Sequence, residues 1–391
     1  MNLLTEDNRK RIGNRLFYAA LLIELILMIA EKSEYYFDFE SYVFRVTFAL
    51  TALAVVIKRH DKKQWLMIGA VWVFTFICYR ITGRNELLRF STFVMAAQNI
   101  NLGKTMKATF WINLTGFVAI ALLAVTGIMG DVYKVMDYGR GNENELRYVF
   151  GFGHPNTLWG CVYALMLLWL WVYGSKARLW MWGVLLGLLL LVGKLTASRT
   201  ALAIGLFTFV LGLIVRYATG IGRKKIIYVL TSLVTPVFCV AFSTWASSVG
   251  YIPRYEFGHP WYTVVTWIDE NLNNRLQNIY RDTAKHAGSL QTWKLFSDKE
   301  SFEYFDMGWV RLFYWYGIIP AALIALLVIA FIYLCYRQRD AWTLILILSL
   351  SIYTVIEATF VSVYIGRNML LPVLGVYIGY YLERMRNDSK S

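Results

Sequence analysis

Charge is scarce in this chain. Of its 391 residues only 16% are Asp, Glu, Lys or Arg, against 58% hydrophobic and 17% aromatic. Soluble domains carry roughly 25% charged residues, so a length that could hold two of them is not used that way, and the bilayer is the natural solvent. Cysteine is equally sparse. Cys78, Cys161, Cys239 and Cys335 each stand alone in an apolar segment, which excludes a disulfide framework and a Cys/His zinc site. The chain also lacks a low-complexity linker and a separable soluble domain. Its net charge of +14 does not imply nucleic acid, because the basic residues fall in short clusters at the ends of apolar segments, with no interleaved basic-aromatic stripe. That placement is topological.

What the chain has is apolar runs. A membrane-spanning helix needs roughly 17 to 25 mainly apolar residues, and such runs lie near 16–31, 39–57, 64–79, 86–100, 108–130, 157–173, 178–194, 199–216, 225–246, 308–335, 341–357 and 361–382. The expected fold class is therefore all-α, a single polytopic integral membrane domain over 1–391 with about 12 transmembrane helices. The first run follows a basic lead (Arg9, Lys10, Arg11, Arg15) and ends at Glu31-Lys32 without a small-x-small cleavage site, so it is read as a retained span. Basic residues are kept on the cytoplasmic side. The clusters at Lys58-Arg59, Lys62-Lys63, Lys104 to Lys107, Lys176 to Arg178, Arg216 to Lys225, Arg337 to Arg339 and Arg384 to Lys390 then place both termini in the cytoplasm. Two long external loops follow, 131–156 and 247–307. Loops of that length usually have a job; the second, with a helical pattern from Asn271 to Lys285, is expected to fold as a cap.

Charges inside spans face a cavity or a partner. Arg45, Arg89, Arg311 and Arg367 qualify. The structural alternative is that Arg45 snorkels or pairs with Glu24, and that Arg367 pairs with Glu357. Further arginines sit on the outer side: Arg80, Arg84, Arg140, Arg147, Arg199 and Arg275. The guanidinium fork matches phosphate with two parallel charge-assisted hydrogen bonds, so this set suggests a polyanionic ligand such as a lipid-linked pyrophosphate. The alternative is contact with anionic lipid head groups.

Two segments could carry general acid or base chemistry. In Gly151-Phe152-Gly153-His154-Pro155-Asn156-Thr157 the glycines permit unusual backbone angles and Asn156 or Thr157 can cap the following helix. His154 is thereby held at the lip of the membrane. With only four histidines in the chain, the partial echo Phe257-Gly258-His259-Pro260 is notable. Asp306 stands just ahead of an aromatic helix start, where it is either a base or orienting group or the helix N-cap. Arg311 follows about one and a half turns further in.

Three segments together resemble the Wzy-type bacterial polysaccharide polymerases and the related O-antigen ligases. They are Gly151 to Thr157, the start Ser198-Arg199-Thr200-Ala201, and the pattern from Asp306 and Gly308 to Gly317-Ile318-Ile319. Their order and the long loop between the second and third also match, from about residue 80 onward. The resemblance implies a metal-independent, cofactor-free glycosyltransferase on the outer face of the bacterial plasma membrane. Donor and acceptor would be undecaprenyl-pyrophosphate-linked glycans, with a chain-length regulator and a flippase as further partners. It implies Asp306 or His154 as the catalytic group, and Arg199 and Arg275 on pyrophosphate with Arg80, Arg84, Arg89 and Arg147 as further candidates. Asn156, Ser198 and Arg311 belong to the same motifs. The ligases carry histidine where this chain has Asp306, which favours polymerase over ligase. The rival from another class is a lipid-linked oligosaccharide transporter, whose internal repeats and midplane broken helices are not visible here.

Overall fold

The computed structural model describes residues 5–35, 38–136, 144–218, 220–281, 286–357 and 367–388. Arg140, Lys285 and Lys390 lie outside them, as do the side chains of Arg367, Arg384 and Arg386. The chain begins with α1 (Glu6–Glu31), α2 (Glu40–Ile57), α3 (Lys62–Thr82), α4 (Glu86–Ala96) and α5 (Leu102–Val125), then a hairpin of β1 (Tyr133–Met136) and β2 (Glu145–Tyr148). It continues with α6 (Pro155–Tyr173), α7 (Leu179–Thr196), α8 (Arg199–Tyr217), α9 (Lys225–Ser232) and α10 (Cys239–Val249). Three short helices follow, α11 (Ile252–Tyr255), α12 (Tyr262–Asn271) and α13 (Arg275–Asn278), before α14 (Gly308–Tyr316), α15 (Ile318–Gln338), α16 (Ala341–Ile356) and α17 (Arg367–Asp388).

Nine helices among the described residues are long and apolar enough to cross a membrane. They are α1, α2, α3, α5, α6, α7, α8, α15 and the stretch Lys225–Tyr255, in which a π-helical segment containing Pro236 joins α9 to α10 and a turn at Gly250 and Tyr251 leads into α11. The protein is a helical polytopic membrane protein. Helix ends follow local chemistry: Asp61 and Gln64 form a reciprocal capping box at α3 (Asp61 Oδ1 accepts from Gln64 N–H at 2.8 Å), which satisfies two orphan donors at once. Asp340 accepts from the backbone N–H groups of Trp342 and Thr343, both at 3.0 Å, at the start of α16.

The expected continuous helix over 308–335 is broken. Gly317 takes φ 98°, ψ 170° and separates α14 from α15. A Cβ there would lie 2.6 Å from Phe296 Cα and 2.7 Å from Leu295 O, so both the angle and the contact demand glycine. α14 is buried along its whole length and Trp309 Nε1–H donates to Ser351 O of α16 at 2.9 Å. The α4 segment is another departure: eleven residues extend only about 16 Å, half of a hydrocarbon core of roughly 30 Å. Lys58 Nζ donates to Ala96 O (2.6 Å) and Gln98 O (2.7 Å) at its C-terminal end, where a cation favours the helix dipole.

Two cores result. One joins α1, α2, α4, α5, α6, α16 and α17. The other joins α10, the segments around α11 to α13, and α14. Described residues of the second long loop pack against α10 and α14, with helices at Tyr262–Asn271 and Arg275–Asn278 where the sequence suggested one helix from Asn271 to Lys285.

Candidate functional site

Hydrogen bonds between distant segments gather the candidate residues at one end of the bundle. Glu34, just after α1, donates its N–H to Gly151 O (3.0 Å) and accepts from Asp131 N–H (2.5 Å), fastening the hairpin to the start of α6. Gly151 and Gly153 there take φ 79° and 71°, as their position in the sequence suggested. Ser198 Oγ–H donates to Asn156 Oδ1 at 3.0 Å, which draws the first turn of α8, and with it Arg199, beside the first turn of α6. Thr200 Oγ1–H donates to Asn271 O at 2.7 Å and seats the end of α12 on α8.

His154 is itself the N-cap of α6. Its Nδ1 accepts from Asn156 N–H at 3.2 Å, so neither Asn156 nor Thr157 plays that part. An acceptor Nδ1 puts the proton of the neutral ring on Nε2, making His154 a hydrogen-bond donor through that atom. Desolvation by the surrounding protein lowers its pKa from the usual 6.5, with Arg147, Arg275 and Lys134 adding to the effect and Asp306 opposing it. His154 is nonetheless exposed. The neutral ring is therefore the state at neutral pH.

Arg275 is the most constrained of the arginines. Asn273 and Asn274 both take left-handed angles (φ 59° and 62°), which asparagine tolerates better than most side chains. Buried Asp269 accepts from Leu276 N–H (2.7 Å) and Gln277 N–H (3.4 Å), fixing the turn that carries Arg275. Burial raises the Asp269 pKa to about 6. Arg275 Nη2 donates to Glu357 Oε1 at 2.7 Å, Nη1 to Leu272 O at 3.0 Å, and Nε lies 3.6 Å from Asp306 Oδ2. Desolvation opposes its charge, but Glu357 and Asp306 outweigh it and raise its pKa. Asp306 is half-exposed and does not cap α14, whose N-cap is Met307. Asp306, Arg275 and Glu357 thus form one contacting group, and His154 lies near enough for Asp306 and Arg275 to act on its titration.

The remaining arginines divide. Arg84 Nη2 donates to Ser301 O at 2.8 Å and Arg311 Nη2 donates to Phe305 O. Their guanidinium carbons lie 3.8 and 4.9 Å from the Trp315 ring centroid. Trp315 Nε1–H donates to Glu303 O at 3.0 Å. Together they hold the strap 301–305 that ends at Asp306. Arg147 pairs with Glu145 in the hairpin (Nη2 to Oε2, 2.6 Å). Arg89 is buried among α1, α2 and α4 and paired with Glu24 at 2.7 Å, so Glu24 is not the partner of Arg45, whose guanidinium carbon lies 5.3 Å from the Tyr42 ring centroid. Arg80 and Arg199 are exposed. His259, the echo residue, accepts at Nδ1 from Trp261 N–H (3.1 Å) and takes part in none of this.

The sequence carried no sign of Asp269, and it offered Glu357 as a partner of Arg367, whose side chain lies outside the described residues, where the structure pairs Glu357 with Arg275. No local pattern announces a carboxylate that reaches a cap residue 82 positions away. Among the described residues no group of three or more His, Cys, Asp or Glu side chains could hold a metal ion. Comparison with protein-family models, with curated proteins and with solved structures finds no match for this chain.

Proposed function

We propose that this protein is a membrane glycosyltransferase of the polysaccharide-polymerase kind, joining lipid-pyrophosphate-linked glycan units at the outer face of a bacterial plasma membrane. The observation that carries the reading is the convergence of Asp306, Arg275 and His154, far apart in sequence, at one end of a membrane-spanning bundle. Transfer from a glycosyl pyrophosphate needs an acceptor hydroxyl relieved of its proton and a leaving pyrophosphate stabilised as negative charge develops. Asp306, half-exposed, is the base. Arg199, exposed at the neighbouring helix start, meets the pyrophosphate, and Arg275, whose Nη groups are held by Glu357 and Leu272 O, adds its positive charge from behind. Neutral His154 donates through Nε2, and Glu357 and Asp269 hold Arg275 in place.

The geometry narrows the arginine set. Arg89 is committed to Glu24, and Arg84 and Arg311 to the strap, so in this reading they position rather than bind. The fold alone does not name an activity, and a transporter for the same lipid-linked glycan stands as the second reading because the basic rim would suit it equally.

The test is direct. Purified protein in lipid, given the lipid-linked repeat unit with EDTA and no nucleotide, should yield a ladder of longer glycans. Unaltered substrate would reject the enzyme reading in favour of transport. The acid limb of activity should lie below the ordinary histidine value of 6.5, because protonating Nδ1 breaks its bond to Asn156 N–H. Rates measured across pH should lose this limb in His154→Gln, and a limb unchanged in that variant would assign the titration elsewhere.

A further inference from the structure

We propose that α12 is an interfacial helix whose exposed aromatic face lies in the bilayer that the spans cross, anchoring the element that positions Arg275. This inference is independent of the glycosyl-transfer reading. α12 has two faces. Val265 and Asp269 are buried against the protein, while Trp261 (61% exposed), Val264 (49%) and Trp267 (64%) present apolar surface outward. Two large exposed aromatic rings are costly in water, at about 25 cal/mol per Å² of apolar surface. They suit the membrane interface, where indole places its ring among acyl chains and its N–H among head groups.

The depth of α12 is set by its neighbour. α8 has nineteen residues and is about 28 Å long, which matches a hydrocarbon core of roughly 30 Å. Its first turn therefore sits at the membrane boundary, and it is there that Thr200 holds the last carbonyl of α12. Further along α8, Phe207, Val210 and Ile214 are exposed and apolar, as a lipid-facing span requires. An amphipathic helix of this kind buries its apolar face roughly 5 to 10 Å into the headgroup and acyl boundary.

The opposite face gives the anchor its consequence. Asp269, one turn from Val265 and on the side opposite Trp267, accepts from Leu276 and Gln277 N–H and so holds the turn of Arg275. The height of Arg275 above the membrane is then referenced to the lipid itself, which suits a ligand that arrives by lateral diffusion with its anionic group just above its lipid tail.

The four native cysteines are buried, so a fluorophore on Val264→Cys labels α12 selectively. With the protein in lipid nanodiscs, a lipid doxyl-labelled near its head group should quench most of the emission and aqueous iodide little of it. Adding Trp261→Ser and Trp267→Ser should reverse that order. Strong iodide quenching with none from the doxyl lipid would overturn the proposal and place this face in water. Unchanged lipid quenching in the serine variant would overturn the role given to the tryptophans. Neither outcome bears on whether the protein transfers glycans.

Discussion

Asp306→Asn should abolish glycan elongation while leaving the protein folded. A positioned general base contributes roughly 10²- to 10⁴-fold, equivalent to about 3 to 5 kcal/mol of barrier, and a ladder of products on a gel would collapse to starting material over that range. The structure makes the stability half of the statement specific. Asp306 caps no helix, since Met307 occupies that position without a side-chain hydrogen bond, and its carboxylate is half-exposed. Asparagine is nearly isosteric, and Arg275 keeps its 2.7 Å bond to Glu357 when the 3.6 Å contact with the half-exposed Asp306 carboxylate is lost, so the cost is that of an exposed ion pair, about 0 to 1 kcal/mol. A structural role as N-cap would give the opposite pair, a loss of up to about 2 kcal/mol of stability with elongation intact. Thermal midpoint and product length on the same preparation separate the two. A variant that elongates normally would remove Asp306 from the chemistry.

Arg275 shows why the site was legible in part. The arginines, His154 and Asp306 were each recognisable because a charge or an imidazole beside an apolar run is conspicuous. The duties of the arginines were not legible. Arg84, Arg89, Arg147, Arg199 and Arg275 look alike in sequence, and what separates them is a partner across the fold: Ser301 O for Arg84, Glu24 for Arg89, Glu357 for Arg275. The helices themselves were visible as apolar runs, but the breaks were not all visible. Gly317 reads as part of a continuous run from 308 to 335, and only the approach of Phe296 forces the left-handed angle that ends α14. The fourth run promised a span, yet its helix stops at eleven residues, and Lys58 from another helix caps it.

The Arg89–Glu24 pair should prove to be architecture. Both side chains are almost fully buried, 5% and 2% exposed, and 2.7 Å apart, with Thr47 Oγ1–H donating to the same Glu24 oxygen at 2.5 Å and the Phe44 ring against the guanidinium. Removing one partner leaves a buried charge uncompensated, at a cost of about 3 to 5 kcal/mol. Arg89→Ala is therefore expected to lose most of its folded population on heating in mild detergent, as followed by fluorescence-detected size exclusion. Replacing both groups by apolar side chains of similar volume is often neutral or stabilising, so Arg89→Met with Glu24→Leu should recover the thermal midpoint. That double variant also decides the older alternative for Arg89. If the guanidinium met a pyrophosphate, the double variant would fold and yet fail to elongate glycan; if it braces α4 against α1 and α2, the double variant elongates at nearly the native rate. The burial of Arg89 among three helices and its bond to Glu24 lead us to expect the second result.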